Sequence, residues 1–483
     1  MLAAELDRKG LIDGVAVSEP NVNPVFDQRF VIRQEGRDPL VWHSRSLYDY
    51  SSLLNMFQGC ANAAPENAEA PLNSGALQAL GAERCASLAE KGLIDGEDLP
   101  EQAANAQAAI NAHGILPEQN VVQPAQWSIN VPQAIAVTYA NACSRAGVED
   151  DLCGYSFGAT DPASGTPVPL AEAVEAVIFS TSSGIPPTGG VNLINNASAG
   201  GALENRLSVS PSSGRQDENL DGALCLRSLH LGRDAVSGER LRGRERARHR
   251  RLLRGIERVR AWGDLNGIPT LIATGRADGV VAPNHASRAY FGLNQLVEGQ
   301  ESRLRYYEVL NAQHLDALNG LPGFNVRFVP LHHYFLEVLN LMYEHLREGV
   351  PLPPSQVVRA ITSPQPSCSC SGALCQVLGD RRAFRTDAAA LRLRRDRASR
   401  RDHQVRRSHG AAPSLRGRQR PADARRRRPL AEAVGPADRR AARCQTGPRC
   451  RRPQARGHPP SDLARRHDLC RPDGCGRRLR GDH

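Results

Sequence analysis

The sequence predicts an α/β fold built around a parallel sheet, and two segments of similar pattern are the main reason. Apolar runs of strand length lie at residues 269–275 and 305–310, and each leads into a turn, with Asp278 after the first run and His314 after the second. Residues 284–294, between the two runs, have helical spacing. Strands and helices that alternate in this way are typical of a doubly wound parallel sheet.

The segment after His314 has the clearest helical pattern in the chain. Pro330 suits the first turn of a helix, and Gly349 suits the position just past its end. Seven apolar residues recur at helical intervals: Leu331, Tyr334, Phe335, Val338, Leu339, Met342 and Leu346. This stripe predicts a helix that packs one face against the sheet.

A further short strand is predicted near the start of the chain, at residues 14–17, directly after a short helical segment. Roughly 240 residues separate it from the strand that begins at Pro269, which is far more than an ordinary crossover needs. We therefore predict an inserted domain. The predicted regions are a partial core at 1–24, a cap or lid insertion at 25–265, the core segment carrying Asp278 and His314 at 266–360, and a tail at 361–483.

The insertion is predicted to be mainly helical, because apolar and Ala-rich residues recur at helical intervals in its first part. Predicted helices lie near 47–57, 77–88 and 103–112, with loops at 162–169 and 184–190. An Arg-rich stretch at 240–261 carries Leu and Ile at helical spacing, so we interpret it as a solvated helix rather than a binding patch.

The net charge of +10 depends on the C-terminal part of the chain. From about Ser363 onward Arg occurs in runs, as at 425–428, while Lys, Asn, Ile, Tyr, Met and Trp are absent. That composition resembles GC-rich DNA read in a shifted frame, and it offers too little apolar surface to offset the entropy of ordering. We predict a disordered, frame-shifted tail. The alternative is an Arg-rich arm that binds nucleic acid.

Seven of the twelve cysteines lie in this tail, without the paired C-x-x-C spacing of a zinc site. In the body, Cys60 with Cys85 and Cys143 with Cys153 are plausible short-loop disulfides if the protein is exported; buried free thiols are the alternative. No apolar stretch is long enough to span a membrane, and the first residues lack the zones of a signal peptide.

Asp278 and His314 are the candidate catalytic residues. A hydrolytic triad needs a hydroxyl nucleophile, an imidazole that takes its proton and a carboxylate that orients the imidazole. The chain order acid then histidine, each after a strand, is that of α/β-hydrolases. We therefore predict the C-terminal half of an α/β-hydrolase-like sheet, without metal or cofactor. Alternatively, Asp278 only forms a turn before Gly279, and His314 is an ordinary loop histidine. His285, His332 and His333 are weaker candidates for the catalytic histidine.

The nucleophile is not evident. Gly154–Gly158 matches G-x-S-x-G around Ser156, but the motif has meaning only between a buried strand and a helix. A polar loop precedes Ser156, and proline and glycine follow it, so we do not expect it to be the nucleophile. Ser198 and Ser18 are interpreted as ordinary loop serines.

Four segments together resemble one known family, the D-(-)-3-hydroxybutyrate oligomer hydrolases. The resemblance covers most of the chain from Met1 to about Ala360. Its segments are residues 10–22, 221–227, 311–317 and 351–355.

This resemblance implies a secreted serine esterase that cuts short 3-hydroxybutyrate oligomers to the monomer, with a small-molecule ester as its partner. It matches Asp278 and His314 to two triad members. It also implies a nucleophilic serine in a Ser-Asn-Gly-Gly type turn upstream of the segment matching Met1. We therefore expect this polypeptide to be N-terminally incomplete and inactive by itself. The alternatives are a nucleic-acid-binding protein that uses the Arg-rich tail and an inert cap-domain remnant.

Overall fold

A computed structural model describes residues 1–34, 36–181 and 190–359. The predicted tail at 361–483 and most of the loop predicted at 184–190 lie outside these residues. The helices are α1 (Leu2–Glu5), α2 (Leu47–Ala61), α3 (Gly75–Glu90), α4 (Leu99–Ala112), α5 (Gln123–Ser128), α6 (Val131–Ser144), α7 (Glu172–Thr181), α8 (Leu220–Leu231), α9 (Gly243–Glu257), α10 (Ser287–Val297) and α11 (Leu331–Glu348). Over the described ranges, no helix has the length and apolar content needed to cross a bilayer.

The strands form a parallel sheet, a second sheet and a short pair. They are β1 (Val15–Ser18), β2 (Asn23–Pro24), β3 (Tyr155–Thr160), β4 (Pro167–Val168), β5 (Asn192–Asn195), β6 (Leu203–Glu204), β7 (Arg260–Ala261), β8 (Thr270–Gly275), β9 (Leu304–Val309) and β10 (Gln356–Val358). The first sheet has the order β1-β8-β9-β10, and each neighbouring pair is parallel. The predicted mixed α/β fold with a parallel sheet is therefore confirmed.

Strand β8 lies at the centre of the parallel sheet and every residue of it is buried. Its side chains alternate between two apolar layers, as the period of a strand requires. Leu271 and Ala273 pack with Val338 of α11, whereas Ile272 packs with Tyr290 of α10. Helices thus cover both faces, which explains why this strand is a continuous apolar run rather than an alternating one.

The inserted segment is built around α2, which contacts α3, α4, α6 and α8. All fifteen residues of α2 are buried, a degree of burial expected only for a helix with neighbours on all sides. The helices predicted near 47–57, 77–88, 103–112 and 240–261 are confirmed as α2, α3, α4 and α9. The sequence pattern did not indicate the four-stranded sheet β4-β3-β5-β6, whose paired strands are antiparallel and two to six residues long.

Two disulfides link parts of the insertion. The predicted Cys60–Cys85 bond is present, with the Cα atoms 4.7 Å apart. The predicted partner of Cys153 is wrong, because Cys153 bonds Cys225 of α8 and Cys143 keeps a free thiol. Proximity in sequence was misleading, since Cys143 lies near the end of α6 while Cys153 lies in a turn that contacts α8.

Candidate active site

Asp278 lies in the turn that follows β8, and its side chain is fully buried. Its Oδ1 accepts hydrogen bonds from the backbone N–H groups of Val280 and Val281, at 2.9 and 2.8 Å. This is the local hydrogen-bonding pattern that makes Asp frequent in turns. The same pattern fixes the carboxyl group, so that Oδ2 remains free to accept a hydrogen bond from another segment.

His314 provides that hydrogen bond from the loop after β9. Its Nδ1 donates to Oδ2 of Asp278 at 3.1 Å, and its side chain is 25% exposed. Because Nδ1 carries the proton in this contact, Nε2 is the nitrogen left to act as a base. The backbone links the two turns as well, since the N–H of Ala277 donates to the carbonyl of Ala312 at 3.0 Å.

The surroundings of His314 favour its protonated form. Burial alone would lower the pKa of the imidazole, but the charge of Asp278 and the hydrogen bond to it act in the other direction. The charge of Asp316, and that of Glu19 whenever it is ionised, act in the same direction, and the pKa of His314 rises to about 9. An imidazole that gains a proton during a reaction would therefore be stabilised here.

Glu19 is a third ionisable group at this position, and the sequence analysis did not single it out. It directly follows β1, and its Oε2 lies 3.5 Å from Nδ1 of His314. Burial, followed by the charge of Asp278, raises the pKa of Glu19 to about 9. One oxygen from each of Glu19 and Asp278 and a ring nitrogen of His314 lie within 4.8 Å of one another.

A buried ion cluster supports the turn of Asp278. Arg276 and Arg288 both pair with Glu308 of β9, and Tyr306 donates its hydroxyl to the same carboxylate at 2.9 Å. Burial alone would raise the pKa of Glu308, but the two guanidinium groups lower it to about 2. The cluster therefore joins the start of the Asp278 turn to the neighbouring strand and to α10.

Asp316 connects the His314 loop to the final helix. Its carboxylate accepts the backbone N–H groups of Leu331 and His332, at 2.9 and 2.7 Å. These groups belong to the first turn of α11 and have no partner within the helix. The loop that carries His314 is thus held at the N-terminus of a helix that packs on β1 and β8.

The insertion contributes to the surroundings of Asp278. The side-chain amide of Gln119 donates to the backbone carbonyl of Asp278. Tyr50 of α2 is also close enough for the charge of Asp278 to raise its pKa, after the larger effect of burial. The inserted segment therefore covers the acid of the pair.

Among the described residues, none of the three candidate serines forms a hydrogen bond with His314. Ser156 lies on β3 and donates its hydroxyl to Asn196, and Ser198 accepts the backbone N–H of Val209. Ser18 is the last residue of β1. Of the described residues, none donates a hydrogen bond to Nε2 of His314.

The competing histidines occupy different surroundings. His285 is fully buried and donates from Nε2 to the carbonyl of His113 at 2.7 Å, and burial lowers its pKa to about 3. His332 and His333 are exposed on α11. Only His314, of the histidines considered, meets a carboxylate at the edge of the parallel sheet.

A carboxylate that fixes an imidazole beyond the carboxyl ends of parallel strands is an arrangement that hydrolytic sites use for their acid and base. Comparison with known proteins identifies the family to which the chain belongs. A family model described as 3HB-oligomer hydrolase matches residues 1–376, and the chain belongs to this family.

Individual relatives agree with the family assignment. The chain is 39% identical to the D-(-)-3-hydroxybutyrate oligomer hydrolase of Burkholderia pseudomallei (strain 668) over 368 residues, which are 75% of this chain and 49% of the relative. The same values hold for the protein of that name from Burkholderia mallei (strain ATCC 23344). The chain thus spans about half the length of the curated relatives it matches. No solved structure matches it.

Proposed function

We propose that this chain provides the acid and the base of a serine esterase that hydrolyses 3-hydroxybutyrate dimers and short oligomers to 3-hydroxybutyrate. The observation that carries the proposal is the 3.1 Å hydrogen bond between Nδ1 of His314 and Oδ2 of Asp278, at the edge of the parallel sheet. Family membership supports the substrate class. An α/β-hydrolase-like core at 1–24 and 266–360, with residues 25–265 as its cap, is part of the proposal.

The proposed chemistry follows from the protonation of the imidazole. In molecules whose ring is neutral, a fraction that grows as the pH approaches the His314 pKa of about 9, Nε2 takes the proton of an attacking serine hydroxyl as the hydroxyl adds to the ester carbonyl. The buried Asp278 carboxylate stabilises the resulting imidazolium. His314 then protonates the departing hydroxybutyrate oxygen, and water releases the acyl group by the reverse sequence. These steps require no metal or cofactor.

We further propose that the attacking hydroxyl is not among the described residues, and that this chain alone is inactive. Ser156 is a poor candidate because it lies within a strand of the second sheet and not at a strand-to-helix turn. Secretion is also proposed, and the bonds Cys60–Cys85 and Cys153–Cys225 support it, since disulfides persist in oxidising compartments.

Two assays test these proposals. In the Burkholderia pseudomallei relative, changing the residue aligned with Asp278 to Asn or that aligned with His314 to Gln should lower kcat for the hydroxybutyrate dimer by about 10⁴-fold. A Gln at the position aligned with the exposed His332 is the control and should leave kcat unchanged. The purified chain of this protein should not hydrolyse the dimer. Hydrolysis by this chain that Ser156→Ala abolishes would contradict the proposal.

A further inference from the structure

Two carboxyl groups face the same nitrogen of His314. Asp278 accepts the Nδ1 proton at 3.1 Å, and Oε2 of Glu19 lies 3.5 Å from the same atom. The two groups come from turns after adjacent strands, because β1 pairs with β8 in a register that aligns Ser18 with Ala273. Glu19 is thereby placed one residue past the end of its strand, at the edge where Asp278 also lies.

We propose that Glu19 is a positioning residue of this site, which acts as a neutral carboxylic acid and confines the imidazole of His314 between itself and the Asp278 carboxylate. The inference rests on the proposed function, since the ring that Glu19 positions is that of the proposed base. It adds a residue and a protonation state that the acid–base pair alone does not require.

Counting charges supports the neutral form. Among the described residues, the ionisable groups that act on His314 and its neighbours are the carboxyls of Asp278, Glu19 and Asp316, with the Tyr50 phenol near Asp278. Asp316 accepts two helix N–H groups, and Asp278 accepts two backbone N–H groups besides the imidazole. Two carboxylates at one imidazole cannot both ionise without a large penalty, so one of them keeps its proton.

Glu19 is the carboxyl that keeps the proton. Across the described residues, the imidazole of His314 is the only basic group within 4.0 Å of its carboxyl oxygens, and its Oε1 is buried without a hydrogen-bond partner. Its side chain is only 13% exposed, so an ionised form would be poorly solvated. The raised pKa of Glu19 agrees with this assignment, and its largest cause is burial rather than any one neighbour.

The backbone of Glu19 shows that its placement is constrained. Its φ is +46°, in the left-handed region that residues other than glycine rarely adopt, while its N–H still bonds the carbonyl of Ala273 in the ladder. Such conformations persist only where the surrounding structure fixes them, and they cluster at functional sites. The turn directs the carboxyl group back over the sheet edge instead of into solvent.

The test is a histidine titration of the full chain by NMR, which does not depend on turnover. The protein is labelled with ¹⁵N-histidine, and the His314 signals are assigned by their loss in His314→Gln. Glu19→Gln replaces the acid by a neutral group of the same shape, and Glu19→Ala removes it. Glu337→Gln changes an exposed glutamate on α11 and serves as the matched control.

We expect the His314 ring signals of Glu19→Gln to match those of wild type between pH 6 and 7, because Glu19, with a pKa of about 9, is neutral there and one neutral group replaces another. We expect Glu19→Ala to speed exchange of the Nδ1 proton with water by about tenfold or more, because the ring is no longer confined. If the His314 ring signals of Glu19→Gln differ from those of wild type in this pH range by more than those of Glu337→Gln do, Glu19 is ionised there. Unchanged exchange in Glu19→Ala would show that Glu19 does not position the ring.

Asp278→Asn separates this inference from the proposed function. If that variant loses the protected Nδ1 proton while both Glu19 variants keep it, the acid–base pair stands and only the role of Glu19 is wrong. The signals of His43 and His249, which hydrogen-bond in other parts of the fold, report whether each variant is folded.

Discussion

Replacing Glu308 by Gln should strongly destabilise the protein, because this carboxylate is the centre of the ion cluster beneath the Asp278 turn. The substitution keeps the shape of the side chain and removes its charge. Arg276 and Arg288, whose side chains are 16% and 9% exposed, would then lose their common counter-ion. Breaking a buried pair in this way leaves uncompensated charge in a poorly solvated place.

The magnitude follows from the pKa of Glu308. Its surroundings lower this pKa from 4.5 to about 2, and each unit corresponds to about 1.36 kcal/mol of preference for the ionised form. The glutamine variant resembles the protonated acid, so it should lose about 3 kcal/mol of unfolding free energy at pH 7. This value agrees with the roughly 3–5 kcal/mol typical of a broken buried ion pair.

The pH dependence has a definite sign. Because the folded pKa is below the unfolded one, the contribution of Glu308 is complete above about pH 4.5 and is lost as the pH falls through about 2. Urea unfolding followed by circular dichroism should therefore show a wild-type advantage that is constant from pH 5 to 7 and smaller at each step below pH 4.5.

A glutamate with the same kind of partner but an exposed position provides the control. Glu257 pairs with Arg260 at 3.2 Å and is 65% exposed, so Glu257→Gln should cost less than about 1 kcal/mol. The reasoning is refuted if Glu308→Gln costs no more than this control at pH 7. It is also refuted if the cost of Glu308→Gln does not decrease in acid.

Three further changes test the structure around the site. Cys225→Ser opens the bond to Cys153, which spans 72 residues, and should cost about 4 kcal/mol in urea unfolding under non-reducing conditions; equal stability would contradict the pairing. Asp316→Ala removes the carboxylate that caps α11 and should cost about 1–2 kcal/mol in the same assay. Gly275→Ala would place a Cβ 2.5 Å from the backbone oxygen of Ala312. We expect this clash to lower the melting temperature and to shift the Nδ1–H signal of His314. An unshifted signal would show that the Asp278 and His314 turns are not coupled.

The sequence predicted the parallel sheet and the meeting of Asp278 with His314 for one physical reason. Buried parallel strands are continuous apolar runs, and their carboxyl ends lie at one edge of the sheet. Residues just past two such runs therefore meet, whatever the intervening segment does. Helix α11 was equally predictable from the sequence, because its Gly349 cap and its apolar stripe are local features.

What the sequence could not predict depends on contacts between distant segments. Glu19 looked like an ordinary loop residue after a short strand, and only its pairing across to β8 makes it a buried neighbour of His314. The Cys153 partner depends on how α8 packs, which no local pattern encodes. The second sheet was missed because its strands are short and some end in polar residues, such as Asn192 and Asn195 of β5.

The pairing of Asp278 with His314 relies on the sheet more than on residues 25–265. The N–H of Ala277 bonds the carbonyl of Ala312, Glu308 holds the start of the Asp278 turn, and Asp316 fixes the His314 loop to α11. All of these contacts lie within residues 266–360. Residues 25–265 add the hydrogen bond from Gln119 to the carbonyl of Asp278 and place Tyr50 nearby, so substitutions there should change the position of His314 less than substitutions in the sheet do.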